Sequence, residues 1–404
     1  MKSKERVISA INHEEPDRVP IDIGGMRSTS IHSVAYRQLR KHLDFEYNSV
    51  KLYDVWQQIG LIDDDILEYF GADVAPINRL APSFGIKIKT WKRGRLADGS
   101  PALVPKGFSP VKEEGVYKIK DEEGRTIAKR SENSLYYDQA GVYHPLAKAD
   151  TKKEIRDQFE WDGISQEESE FLRNQADKLI GETDYAIMAE FGGSLYEMGQ
   201  VLRGYKQWYL DLAGNKELVK YLLDILIENY LADLETFIEI LGDTVDIVVF
   251  GGDDLGMQDG PQIPVGTYRD IFMPRHKKMW SYVHSKTDWK VFLHSCGSIY
   301  ELLPHLIEAG VDIINPVHIN AADMEPNKLK KEFSDELVFW GGGCDTQRVL
   351  PNGSVAEVKD EVKKNIEAFS TGGGFVFAPV HNIQPDVPPE NIVAVYEAAK
   401  EYGS

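Results

Sequence analysis

His294 and Cys296 stand two residues apart at the end of an extended run, Lys290 to Leu293, and Cys344 follows a second such run, Leu337 to Trp340. A strand's period of two turns His294 and Cys296 to the same side. One imidazole and two thiolates are soft or borderline donors that suit zinc. Three protein ligands leave a fourth position open, which is the pattern of a catalytic rather than a structural site. Taken singly, two small cysteines packed as apolar residues and a hydrogen-bonded core histidine would explain the same residues. Their joint position at strand ends favours the metal.

The elements that must hold these residues repeat one theme. A short β-branched or aromatic run is followed by Gly with polar residues and then by an amphipathic helical pattern, the mark of βα units. The runs are Val19 to Ile23, Ala72 to Ile77, Tyr185 to Glu190, Val245 to Phe250, Lys290 to Leu293, Val311 to Ile314, Leu337 to Trp340 and Gly374 to Ala378. Eight such runs predict an α/β chain folded as a (β/α)8 TIM barrel over residues 1–404. Ser298 with Glu301, and Ser354 with Glu357, have the spacing of capping boxes ahead of helices. Leu222, Leu226, Tyr230, Leu234, Phe237 and Leu241 form the packing stripe of a longer helix. Residues 84–145 alternate in another way. Ile86-Lys87-Ile88-Lys89, and a hairpin pattern around Tyr117 to Ala128, predict a β-rich insertion between the second and third strands.

Barrels place their active sites at the C-terminal ends of the strands, so the residues following each run are the site candidates. Asp254 and His381 are the candidates for catalysis, and Arg27, Phe191, Asp253, Asn315 and Asn382 for contact with substrate. Arg27 could hold a carboxylate or sulfonate, or pair with an acid. Asp253 and Asp254 could serve the metal, the substrate or a helix cap. The glycine runs 341–343 and 372–374 lack the P-loop pattern and are read as tight turns without a ligand.

The bulk composition narrows the partners. A chain of 404 residues with formal charge -19 repels phosphate backbones and anionic lipid, so nucleic acid and membrane surfaces are poor partners and a small molecule or protein is a better one. Two cysteines cannot build a disulfide framework and suit a reducing compartment. The polar N-terminus and the absence of a long apolar run predict a cytoplasmic protein.

The pattern His294-x-Cys296 with a distant Cys344 resembles that of zinc-dependent corrinoid methyltransferases in the uroporphyrinogen decarboxylase superfamily, such as the methylcobalamin:coenzyme M enzymes. The resemblance extends through Glu15-Pro16-Asp17-Arg18-Val19-Pro20, Asp253-Asp254-Leu255-Gly256, His381-Asn382-Ile383-Gln384-Pro385 and Pro388-Pro389-Glu390-Asn391. It implies a zinc ion, a corrinoid (methylcobalamin) carried by a partner protein, and methyl transfer to or from a small thiol or a methoxylated compound. The alternative is decarboxylation of a porphyrinogen or related acid. Authentic decarboxylases carry an Arg-rich motif near the N-terminus, where this chain offers Arg27 alone in Gly24-Gly25-Met26-Arg27-Ser28-Thr29.

Overall fold

The computed structural model describes residues 1–134, 136–140 and 144–404; Leu135 and residues 141–143, inside the segment 84–145 read above as an insertion, lie outside the described residues. Seven strands form one parallel sheet. They are β1 (Val74–Ile77), β2 (Ala186–Glu190), β3 (Ile247–Phe250), β4 (Lys290–His294), β5 (Ile313–Asn315), β6 (Val338–Trp340) and β7 (Phe375–Val376). Their order in the sheet is their order in the chain, as expected when helices carry the chain back between parallel strands.

The run from Val19 to Ile23 is a bridge rather than a full strand. Ile21 pairs in parallel with Phe377, Asp22 N–H donates to Phe377 O, Phe377 N–H donates to Pro20 O, and Asp73 N–H donates to Ile21 O. The pairing stays short because Pro20 has no N–H and because the Ile21 N–H is taken by the Asp73 carboxylate at 2.8 Å. This segment nonetheless joins the two edges of the sheet, so the architecture is α/β and TIM-barrel-like.

Strand alternation separates two layers of core. Val74, Ala186, Met188, Ile247, Val249, Phe292, Ile313, Val338, Trp340 and Val376 pack together inside the curled sheet, joined by Val7 and Ile11 of the helix Ser3–Ile11. Their neighbours Ala75, Ile187, Val248, Val291, Ile314 and Phe339 pack outward against the helices. The helix Lys216–Leu241 buries the predicted stripe from Leu222 to Leu241. The Ser354–Glu357 capping box forms. At Ser298 the expected box does not, because the Ser298 hydroxyl donates to Ala322 O and a 3-10 turn over Tyr300–Leu302 precedes the helix Leu303–Ala309, which has Pro in its first turn.

Between β1 and β2 the chain forms a hairpin, Trp91–Arg95 with Pro101–Pro105, and a four-stranded antiparallel sheet of Val111–Glu113, Val116–Lys120, Thr126–Ser131 and Asp138–Gln139. Leu96, Val104, Phe108, Ile119, Ile127 and Tyr137 share a small core with Leu52 and Val55. Among the described residues no helix is long and apolar enough to cross a membrane.

Candidate metal centre

β4 carries Phe292 into the interior, so His294 two residues on faces the same way, at the C-terminal end of the sheet. Cys296 follows on a loop held by a close backbone crossing: Gly256 N–H donates to Cys296 O, and Ser298 N–H donates to Met257 O. A Cβ on Gly297 would lie 2.4 Å from the Gly256 carbonyl carbon, so only glycine fits. His381 arrives on the loop after β7. One donor atom each from His294, Cys296 and His381 lie within 4.8 Å of one another. His294 Nε2 is 3.5 Å from Cys296 Sγ and 3.8 Å from Asp254 Oδ1, and the two imidazole centroids are 5.7 Å apart.

Both rings are held by asparagine. His294 Nδ1 lies 2.8 Å from Asn315 Oδ1, whose amide in turn donates to Trp340 O, so that carbonyl accepts an Nδ1–H and leaves Nε2 as a lone-pair donor. His381 Nδ1 lies 2.7 Å from Asn382 Oδ1 in the same sense. Burial beside His294 pulls the His381 pKa down to about 4, which keeps this ring neutral as a metal ligand must be. Asn382 is itself oriented by Gln57 and Gln384, and Gln384 accepts from the Tyr136 hydroxyl of the small four-stranded region.

The structure does not bring Cys344 to this group. Its thiol donates to Glu361 Oε2 at 3.2 Å on the helix Val355–Phe369, in the outer layer. Strict alternation from Trp340 would have carried Cys344 inward, but Gly341 and Gly342 adopt φ of 93° and 79° and break the period. The side chain gathered beside His294 and Cys296 is instead that of His381.

The other candidates also sort out. Asp253 is buried and its carboxylate caps the helix Tyr196–Arg203, accepting N–H groups from Leu195 and Tyr196, and lies 2.9 Å from His276 Nε2; it is not free to meet substrate. Phe191 packs outward among Tyr230, Phe237 and Phe250 and is a core residue. Asn315 and Asn382 spend their polar atoms on the histidines and their supports. Arg27 is shared between Glu190 and Asp54 rather than left open for an acid. Asp254 is at the site, accepting the Cys296 N–H at 2.7 Å. Burial and the charges of Asp254 and Glu197 push the Cys296 thiol up, a cost that a bound cation would offset. Two imidazoles, each held by an asparagine, and one thiol fit a zinc-like ion.

A model of the uroporphyrinogen decarboxylase (URO-D) family matches residues 173–402, more than half of the chain. The chain belongs to the URO-D family. Within the curated proteins it is similar to the methylcobamide:CoM methyltransferase MtaA of Methanosarcina barkeri, 28% identical over 187 residues, which are 46% of this chain and 50% of MtaA. The match thus spans about half the length of that relative. A methyltransferase from Methanosarcina mazei superposes over 100% of both chains with a TM-score of 0.63 and 15% identity, a likeness of fold.

Sequence reasoning missed two acids of this URO-D site, Glu190 and Glu197. Glu190 had a signal: it shares the parity of the inward Met188 on β2, so it, and not Phe191, is the residue the strand aims at the mouth. Glu197 had none, since its place depends on how Asp253 seats the helix that follows β2.

Proposed function

We propose that this chain is a zinc-dependent methyltransferase that moves a methyl group between a corrinoid held by a partner protein and a small thiol or methoxylated substrate. The observation that supports it best is the gathering of His294, Cys296 and His381 donor atoms within 4.8 Å. These residues would hold the ion, which supplies either acidification of a bound thiol or polarisation of an ether oxygen. Asn315 and Asn382 would present the two imidazoles to the ion through Nε2, and Asp254, 3.8 Å from His294 Nε2, would take the proton that a bound thiol gives up. A donor set with one thiolate leaves more positive charge on an ion than one with two, so thiol and methoxy substrates stand level on that ground. The whole of 1–404 is proposed to act as one barrel unit, with 84–145 as an insertion that reaches the His381 loop through Tyr136 and Gln384.

Metal analysis of anaerobically purified protein should find about one zinc per chain. His381→Ala and Cys296→Ser should lose most of it, and Cys344→Ser should keep it. Methylated and reduced corrinoid protein, offered with thiols and methoxyaromatics, should give transfer to or from one class. Zinc loss in Cys344→Ser with retention in His381→Ala would refute the donor set, and a full metal load with no transfer to any acceptor would refute the activity.

A further inference from the structure

Asn315 holds the His294 ring and Asn382 the His381 ring. A thiol has no second nitrogen by which to be held, so Cys296 is aimed through its backbone. Three consecutive N–H groups of its loop are each taken by a different neighbour. Cys296 N–H donates to Asp254 Oδ1 at 2.7 Å, Gly297 N–H to His318 Nδ1 at 3.2 Å and Ser298 N–H to Met257 O at 2.7 Å. Asp254 and Met257 belong to the loop after β3. His318 belongs to the loop after β5, on the opposite flank of β4 in the sheet. The loop that brings it is itself fixed, since Gln258 Nε2 donates to Asn320 O at 2.5 Å, Ala322 N–H to Gln258 O at 2.9 Å and the Ser298 hydroxyl to Ala322 O at 2.6 Å. His318 also stands three residues past Asn315, so one short segment leaving β5 supports both donors at the end of β4. An imidazole that accepts an amide N–H through Nδ1 carries its proton on Nε2, so the contact selects one tautomer. Gly297, with φ of 85°, has no side chain to anchor it, and its N–H is the handle by which the loop is gripped.

We infer that His318 is a positioning residue for the metal centre: by holding the Gly297 N–H, its Nδ1 fixes the loop that aims the Cys296 thiol at His294 and His381. This rests on the reading of those three residues as a metal site and adds a residue that acts on it through the backbone. The grip on the loop belongs to the metal-free chain as well, which gives it a test of its own.

Two variants separate the acceptor from the bulk of the side chain. His318→Phe keeps a ring and removes the acceptor, whereas His318→Asn removes the ring and offers Oδ1 in the place of Nδ1. In metal-free protein, alkylation of Cys296 by iodoacetamide is followed by mass spectrometry, with the buried Cys344 as the slow internal reference. Its rate should rise about 2- to 10-fold in His318→Phe, as the loss of one hydrogen bond implies, and stay near wild type in His318→Asn. With cobalt(II), His318→Phe should raise the dissociation constant about tenfold or more and alter the thiolate-to-cobalt absorption band, and His318→Asn should keep both near wild type. If His318→Phe does not fold, His318→Ala takes its place in the comparison. Unchanged alkylation or unchanged cobalt affinity in the variant without an acceptor, or losses in His318→Asn as large as in that variant, would overturn the inference. Normal cobalt uptake by the wild type with any of these results defeats this inference alone, whereas wild-type protein that takes up no cobalt defeats the metal reading and this inference with it.

Discussion

An imidazole can ligate a cation only through a nitrogen that carries no proton, and in this protein two asparagines decide which nitrogen that is. Asn315 Oδ1 accepts from His294 at 2.8 Å and from the Ser28 hydroxyl at 2.8 Å, so its carbonyl direction is fixed from two sides. Asn382 Oδ1 does the same for His381 with Gln384 as its second donor. Loss of such a support typically weakens metal binding by about 10- to 100-fold. Asn315→Ala and Asn382→Ala should each raise the zinc dissociation constant by that factor in a competition titration against a chromogenic chelator. Wild-type affinity in both variants would show that the rings are held by packing alone. His294 and Cys296 were legible from their two-residue spacing, because strand alternation is a local property. The asparagines were legible only as strand-end positions, and their service to the histidines depends on contacts across 21 residues in one case and on a loop conformation in the other.

At the scale of elements, glycines determine which side chains reach the mouth. Gly256 and Gly297 let two loops cross with their backbones in contact, and the Gly297 φ of 85° lies in the left-handed region. Gly297→Ala adds a Cβ 2.4 Å from the Gly256 carbonyl carbon, so the loop must move or the protein must bear a strain of about 1–3 kcal/mol. Movement of the loop displaces Cys296. We expect lower thermal stability together with reduced cobalt or zinc uptake, and unchanged metal affinity would show that the crossing does not position Cys296. The same reasoning explains Cys344. The pair Gly341 and Gly342 was visible as a turn, but the side on which a chain leaves a turn depends on backbone angles that a glycine leaves open. Those angles send Cys344 to Glu361, while His381 is the side chain that joins His294 and Cys296.

Across the whole molecule, the closing segment around Ile21 carries a buried acid. Asp22 accepts the Trp340 indole N–H at 2.8 Å and the Gly25 N–H at 2.7 Å, yet burial raises its pKa from 3.8 to about 6. The folded state therefore holds this proton at pH values where the unfolded chain has released it. Stability contributed here is present below about pH 4 and is lost as pH rises to about 6, a change of about 3 kcal/mol. Asp22→Asn has no such titration, so its unfolding free energy relative to the wild type should rise by about that amount between pH 4 and pH 7 in urea denaturation. A pH-independent difference would place the Asp22 pKa near its ordinary value. Strand runs, helix stripes and the His294–Cys296 pair were determined by the sequence itself, because each depends on a period of two or of 3.6 residues within one element. Tertiary structure alone decided that Ile21 joins the sheet edges, that Asp253 caps a helix, that Arg27 is already paired and that His381 stands where Cys344 was expected. Each of these turns on residues far apart in the chain meeting in one place, and on glycine turns whose direction only the packed neighbours fix.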